Sequence, residues 1–149
     1  MQRILFIVVV TVAACFTIAA SRSEFATLSA AAAKKYDLPG HLGSQYAKDF
    51  SDWSTEPMVH SLKVCGATPS TNRYCDIIMV VAADGQIQRV LFSPSNSYVD
   101  CVRKDLRLGA RAPKPPGDAW PVQIRLIDGP RPNYKGGDKP FIILSYHGE

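Results

Sequence analysis

The chain has 149 residues, 46% of them hydrophobic and 20% charged, and a formal net charge of +4. That length leads to the expectation of one domain with enough chain for a single core. The positive excess is modest and its Lys and Arg residues are scattered with no interleaved aromatics, which argues against nucleic acid as a partner.

The first stretch, MQRILFIVVVTVAACFTIAASRSEF, carries Arg3, an apolar run from Ile4 to Ala20, and small residues at Ala19, Ala20 and Ser21. A cation, an apolar core and a small-residue exit make the pattern of a secretory signal over residues 1–21. The run sits at the short edge of what spans a bilayer, so an uncleaved anchor is one alternative. Lipidation is another, because Val12 to Cys15 (VAAC) resembles the bacterial lipobox, whose modified cysteine would tether the chain to a membrane. All these readings place the body of the chain outside the cytosol, in a periplasm or secreted.

Residues 22–57 read as a helical N-terminal extension. Glu24 to Tyr36 is alanine-rich and helix-prone, and the following Asp37 to Gly40 breaks the pattern. A second short helix runs through His41 to Trp53, with Phe50 and Trp53 facing one way. A third starts at Ser54, which can cap it, with Pro57 in its first turn. Met58, Leu62 and Cys65 then recur at helical spacing.

Residues 58–149 carry the strands. Tyr74 to Val81 is almost continuously apolar, as a strand in mid-sheet should be. Asp84-Gly85 supplies the residues of a two-residue type I′ hairpin, and Ile87 to Phe92 is the returning arm. Ser97 and Asp100 form a capping pattern for a helix whose stripe is Val99, Val102 and Leu106. Gly109 and Pro113 close it. KPPGDAWP, Lys114 to Pro121, is a stiff crossover. Val122, Ile124 and Leu126 then alternate inward against outward Gln123 and Arg125, a half-buried strand. Residues 128–140 are an irregular loop, and Phe141 to Tyr146 is the last strand. The order predicts an α+β fold: a two-layer sandwich with a ββαββ core, an antiparallel sheet of three or four strands, and helices on one face.

Catalytic motifs are absent. His41, His60 and His147 are the only histidines, and no two stand at metal-ligand spacing. No serine sits in a nucleophile elbow, and NYKGGDK lacks the setting of a phosphate loop. Neither a cofactor nor a metal is called for. A Cys–His hydrolase would need Cys75 or Cys101 beside His60, and export favours pairing of those cysteines instead.

From Met58 to Ile127, the hairpin, the helix and the RAPKPPGDAWPVQIRLI crossover and strand resemble the TonB C-terminal domain family, which includes TolA-like relatives. A cysteine-containing subgroup is more similar still, its cysteines corresponding to Cys65 and Cys101. No long Pro/Lys-rich spacer precedes the domain, and the family's LD..A helix pattern is missing. In one alignment Phe141 to Tyr146 occupies the edge that the family uses for partner peptides. In another it is itself the return strand, with residues 121–127 an insertion. The resemblance implies a non-catalytic binding module of the bacterial cell envelope that meets a protein or peptide partner by strand addition. The strand Val122, Gln123, Ile124, Arg125, Leu126 and Ile127 is the expected contact. A small secreted inhibitor acting through residues 130–138 is the alternative, as is a cysteine or carboxylate hydrolase.

Cysteine pairing stays open between two arrangements. Cys65 ends a helix before the sheet and Cys101 lies on the helix over it, so a Cys65–Cys101 bridge would contribute on the order of 3 kcal/mol. Cys65–Cys75 is the competitor and would staple only the intervening loop.

Overall fold

A computed structural model describes residues 22–70, 73–129 and 142–146. The signal segment, with Cys15, lies outside the described residues, as do residues 130–141 and His147. The first helix, α1, covers residues 22–36. A short 3-10 turn at Pro39–His41 leads into α2, Leu42–Cys65. Then come β1 (Tyr74–Val81), β2 (Ile87–Ser93), α3 (Ser97–Asp105), β3 (Trp120–Asp128) and β4 (Ile142–Tyr146). The fold class is α+β.

The two helices expected on either side of Ser54 are one. Tyr46, Phe50, Ser54, Met58, Leu62 and Cys65 are all buried along α2. Their spacing makes a single stripe, and burying a large apolar side chain contributes about 1.5–3 kcal/mol. Pro57 therefore sits inside the helix, where its missing N–H and ring cost about 3 kcal/mol. Several buried side chains on each side of the proline outweigh that cost.

The hairpin turn also differs from the expected type. A type I′ turn needs two central residues with positive φ. Here Gly85 alone has one, at 89°. Gly85 donates to the Ala82 carbonyl at 2.9 Å, and Ala82 donates to the Gln86 carbonyl at 2.8 Å. This is the longer loop in which a left-handed glycine follows the turn. Gly85 is also held by the crossover: its carbonyl accepts from Ala112 at 2.9 Å. A Cβ at position 85 would stand 2.5 Å from the Ala112 oxygen. The proline-rich crossover is thus seated on the hairpin tip.

The sheet has four strands in the order β2-β1-β3-β4. β1 pairs antiparallel with β2 and β3, whereas β4 runs parallel to β3. The expected antiparallel sheet is therefore mixed. Residues 129–141 separate β3 from β4, about the dozen residues that a parallel return requires.

Alternation sorts the side chains of β1 and β3. Cys75, Ile77, Met79 and Val81 join Trp120, Val122, Ile124 and Leu126 in the main core, with Phe50, Met58, Leu62, Tyr98 and Val102 from the helices. The opposite pleat carries Asp76, Ile78, Gln123 and Arg125, given the register Ile78↔Gln123. Residues of α1 reach this second set: Ser29 donates to the Gln123 side-chain oxygen at 2.6 Å, and Glu24 pairs with Arg89 of β2. Ile78 is fully buried.

α3 starts one residue earlier than the capping pattern implied. Asn96 is the N-cap and its side chain accepts from the Val99 N–H at 2.9 Å. Ser97 instead donates to the Pro69 carbonyl at 2.8 Å. Leu106 ends the helix, so Gly109 lies beyond it and packs on Trp53.

Cys65 and Cys101 form a disulfide with their Cα atoms 5.8 Å apart, and Cys75 is the free, buried thiol. The bridge ties the end of α2 to α3. Replacing both cysteines by alanine should lower stability by about 3 kcal/mol in denaturant titrations. Peptide mapping of unreduced Cys75→Ala protein should return the same Cys65–Cys101 pair.

Candidate functional site

β3 was the expected peptide contact, and from Ile124 to Ile127 it is paired on both sides. β1 pairs with Trp120 to Ile127 on one side, and β4 pairs with Ile124 to Asp128 on the other. Val122, Ile124 and Leu126 are core residues. Gln123 is 9% exposed and bonded to Ser29. Ile127 is buried as well. The remaining edge of β3, near Trp120 to Val122, lies beside Ala32 and Tyr36 of α1.

Arg125 does not point to solvent for a partner. Its guanidinium clasps Asp76 of β1 through Nε to Oδ1 and Nη2 to Oδ2, and its Cζ lies 4.9 Å from the centre of the Tyr74 ring. Asp76 is only 7% exposed. Two-pronged Arg–carboxylate geometry is the strong form of such a pair. Alternation alone could not reveal it, because an outward-facing arginine and an inward ion pair give the same polar letter in the pattern.

Two strands end the sheet order. β4 packs against α2, and Lys63 of α2 places its ammonium 5.1 Å from the centre of the Tyr146 ring. β2 is the other terminal strand, and among the described residues only β1 pairs with it. Ile87, Val90 and Phe92 are partly buried and pack on the core from this outermost position. The ladder is irregular at its start: Val80 faces Arg89 and Val81 faces Ile87, leaving Gln88 without an opposite residue. That bulge and the Arg89–Glu24 ion pair blunt the first half of the edge. From Val90 to Ser93 neither device is present. The sequence carried no sign of this, since strand order is a tertiary property.

The cysteine–histidine candidates do not assemble. Cys101 is bonded to Cys65. Cys75 is fully buried, and burial pushes its thiol up to about 12, with the nearby Asp76 charge acting the same way. Such a thiol carries almost no thiolate at neutral pH. His60 is exposed on α2, in a groove that Cys75 does not line. Among the described residues no cluster of three or more His, Cys, Asp or Glu side chains is placed to hold a metal ion. Nor is any helix among them long and apolar enough to cross a membrane. The disulfide fits an oxidising compartment.

Searches of family models, curated proteins and solved structures find no match for this chain.

Arg125→Ala should leave Asp76 buried and unpaired, costing about 3–5 kcal/mol of stability in chemical denaturation. A second outcome follows from Cys75. Its folded pKa of about 12 exceeds the ordinary value of 9.0, so its contribution is complete below the unfolded pKa. It is lost as pH rises from about 9 towards 12, by up to about 1.4 kcal/mol per pH unit. Between pH 9 and 11, Cys75→Ala protein should lose stability with a shallower slope than the native protein.

Proposed function

We propose that the chain is an exported, non-catalytic binding module of the bacterial cell envelope, and that it takes an extended partner segment along the free edge of β2. The observation that carries this reading is the position of β2: a terminal strand whose second half, Val90 to Ser93, has no pairing on its outer side among the described residues. An added strand would satisfy the outward backbone groups there and cover Val90 and Phe92 on one face and Leu91 on the other. The resemblance to TonB C-terminal domains points to the same mode of contact, moved here from β3 to β2.

The layering proposed around that edge differs from a sandwich with every helix on one face. α2 and α3 back the main core. α1 crosses the opposite pleat, from Arg89 of β2 at its Glu24 end to Ile143 of β4, which lines a shallow hollow with Tyr36. Residues 58–149 then act as the binding domain, with residues 22–57 as a helical extension that supplies both α1 and the first half of α2. Export follows from the signal pattern of residues 1–21 and agrees with the disulfide; a lipid on Cys15 would add a membrane tether. The buried Cys75 and the bonded Cys101 weigh against a cysteine hydrolase. The inhibitor alternative rests on residues 130–138, outside the described residues.

The test places a photo-crosslinking side chain at Gln88, at Leu91 or, as control, at exposed Ala26 of α1 in the full chain, and exposes each to envelope extract. A discrete adduct at the β2 positions but not at position 26 is expected. In the isolated complex, amide exchange over residues 89–93 should slow at least about tenfold. A bound partner that leaves those amides unprotected would defeat the edge reading.

A further inference from the structure

A second surface stands apart from the β2 edge. The outer face of α2 and the segment following α3 border an open groove of about 710 Å³, whose lining includes Trp53, Glu56, Pro57, Val59, Lys63 and Arg107. Its charges are unevenly paired. The neighbouring carboxylates of α3 are already engaged: Asp100 pairs with Arg103, and Asp105 accepts from Ser61 Oγ at 2.8 Å. That leaves Lys63 and Arg107, with no carboxylate within salt-bridge distance among the described residues. Glu56 is the one carboxylate in the wall.

Arg107 is held rather than free. Its Nη1 donates to the Lys104 carbonyl at 2.6 Å and to the Leu106 carbonyl at 3.3 Å, at the C-terminal end of α3. Fixing the guanidinium on these carbonyls lowers the entropy lost when it meets an anion. Trp53 supplies the aromatic wall. It packs edge-on against Phe50, ring centres 5.2 Å apart. A Cβ on Gly109 would lie 3.3 Å from the indole Nε1, so a side chain there would crowd the ring. Among the described residues that indole N–H has no acceptor.

We infer that this groove docks an acidic, extended peptide segment of a partner protein. Charge complementarity selects the occupant: the cations Lys63 and Arg107 lie along one trough and favour carboxylates. The apolar Pro57 and Val59 in the lining and the unpaired indole donor suit a peptide's side chains and carbonyls. A lipid surface needs cations projecting from a flat or convex face, whereas these line a concavity.

Intrinsic fluorescence reads the site, because Trp53 is half-buried in the groove while Trp120, the other tryptophan, is 3% exposed. The full chain is titrated with a panel of capped hexapeptides bearing three glutamates at different spacings among leucine and glycine. Glutamine counterparts and phosphatidylglycerol vesicles are the other arms. Glutamate peptides should shift the Trp53 emission and bind at least about tenfold more tightly than the glutamine forms. Their affinity should fall as salt rises. Lys63→Gln and Arg107→Gln should each weaken binding about three- to tenfold, with an unchanged circular dichroism spectrum. Trp53→Phe should remove the optical signal while calorimetry still records binding. The inference is overturned by equal affinity for the glutamate and glutamine forms, by no binding of any peptide at millimolar concentration, by a vesicle-induced shift of Trp53 emission that the peptides do not reverse, or by folded Lys63→Gln and Arg107→Gln proteins that bind as the native chain does.

Discussion

Everything in the molecule hangs on the contact between one pleat of β1 and β3 and the buried stripe of α2. Ile77, Met79, Ile124 and Leu126 share one core cluster with Phe50, Met58 and Leu62, all with no exposed surface. Close packing of this kind leaves little tolerance for a change of register, because a slip of one residue would send Asp76 and Arg125 into the apolar layer. The disulfide reinforces the same contact from its rim: Cys65 is the last residue of the stripe, and its partner Cys101 carries α3, with Tyr98, Val99 and Val102, onto the sheet. Pro57 is tolerated for the same reason. The helix is held along its length by tertiary burial, which in proteins dominates over propensity.

Electrostatics is organised around what the core leaves over. The opposite pleat holds a polar set that no solvent-facing sheet would need: Asp76 with Arg125, and Gln123 with Ser29. A buried pair of this type costs desolvation and recovers it only through good geometry, so its value lies as much in fixing the register of β1 on β3 as in stability. Several exposed cations are neutralised locally. Arg103 leans on Asp100, Lys48 on Asp52 and Arg73 on Asp128. The positive charge of the whole chain is therefore a poor guide to where anions would gather. Local pairing decides that, and among the described residues it leaves Lys63 and Arg107 of the Trp53 groove without a salt-bridge partner.

Much of this fold was legible from periodicity. The continuous apolar run of β1, the alternation of β3, the stripe of α3 and the Cys65–Cys101 pairing all have a local or positional signature. Each miss has one cause: a tertiary contact that overrides a local signal. Pro57 and Ser54 carry the marks of a helix start, and core burial runs the helix through them. Asp84-Gly85 suits a two-residue turn, yet the crossover at Ala112 captures Gly85 in a longer one. Gln123 and Arg125 look like solvent-facing positions, and α1 and Asp76 take them instead. The parallel return of β4, like strand order generally, leaves no mark on the residues of the strand itself.

Strand order also explains why the two candidate surfaces are independent. β2 sits at the far end of the sheet from β4, and the groove is built on α2, which packs against β4 and β3. A segment laid along β2 would extend the hydrogen-bonded ladder, a contact read mainly through backbone and therefore tolerant of sequence. The groove offers fixed charges and an aromatic wall, a contact read through side chains. A partner that engaged both would gain from their covalent linkage without either being strong alone, provided that its linker spans the distance between them. The disulfide holds α3 against α2 and sheet together, so the two surfaces keep a fixed separation, and that rigidity is what lets such linkage raise affinity.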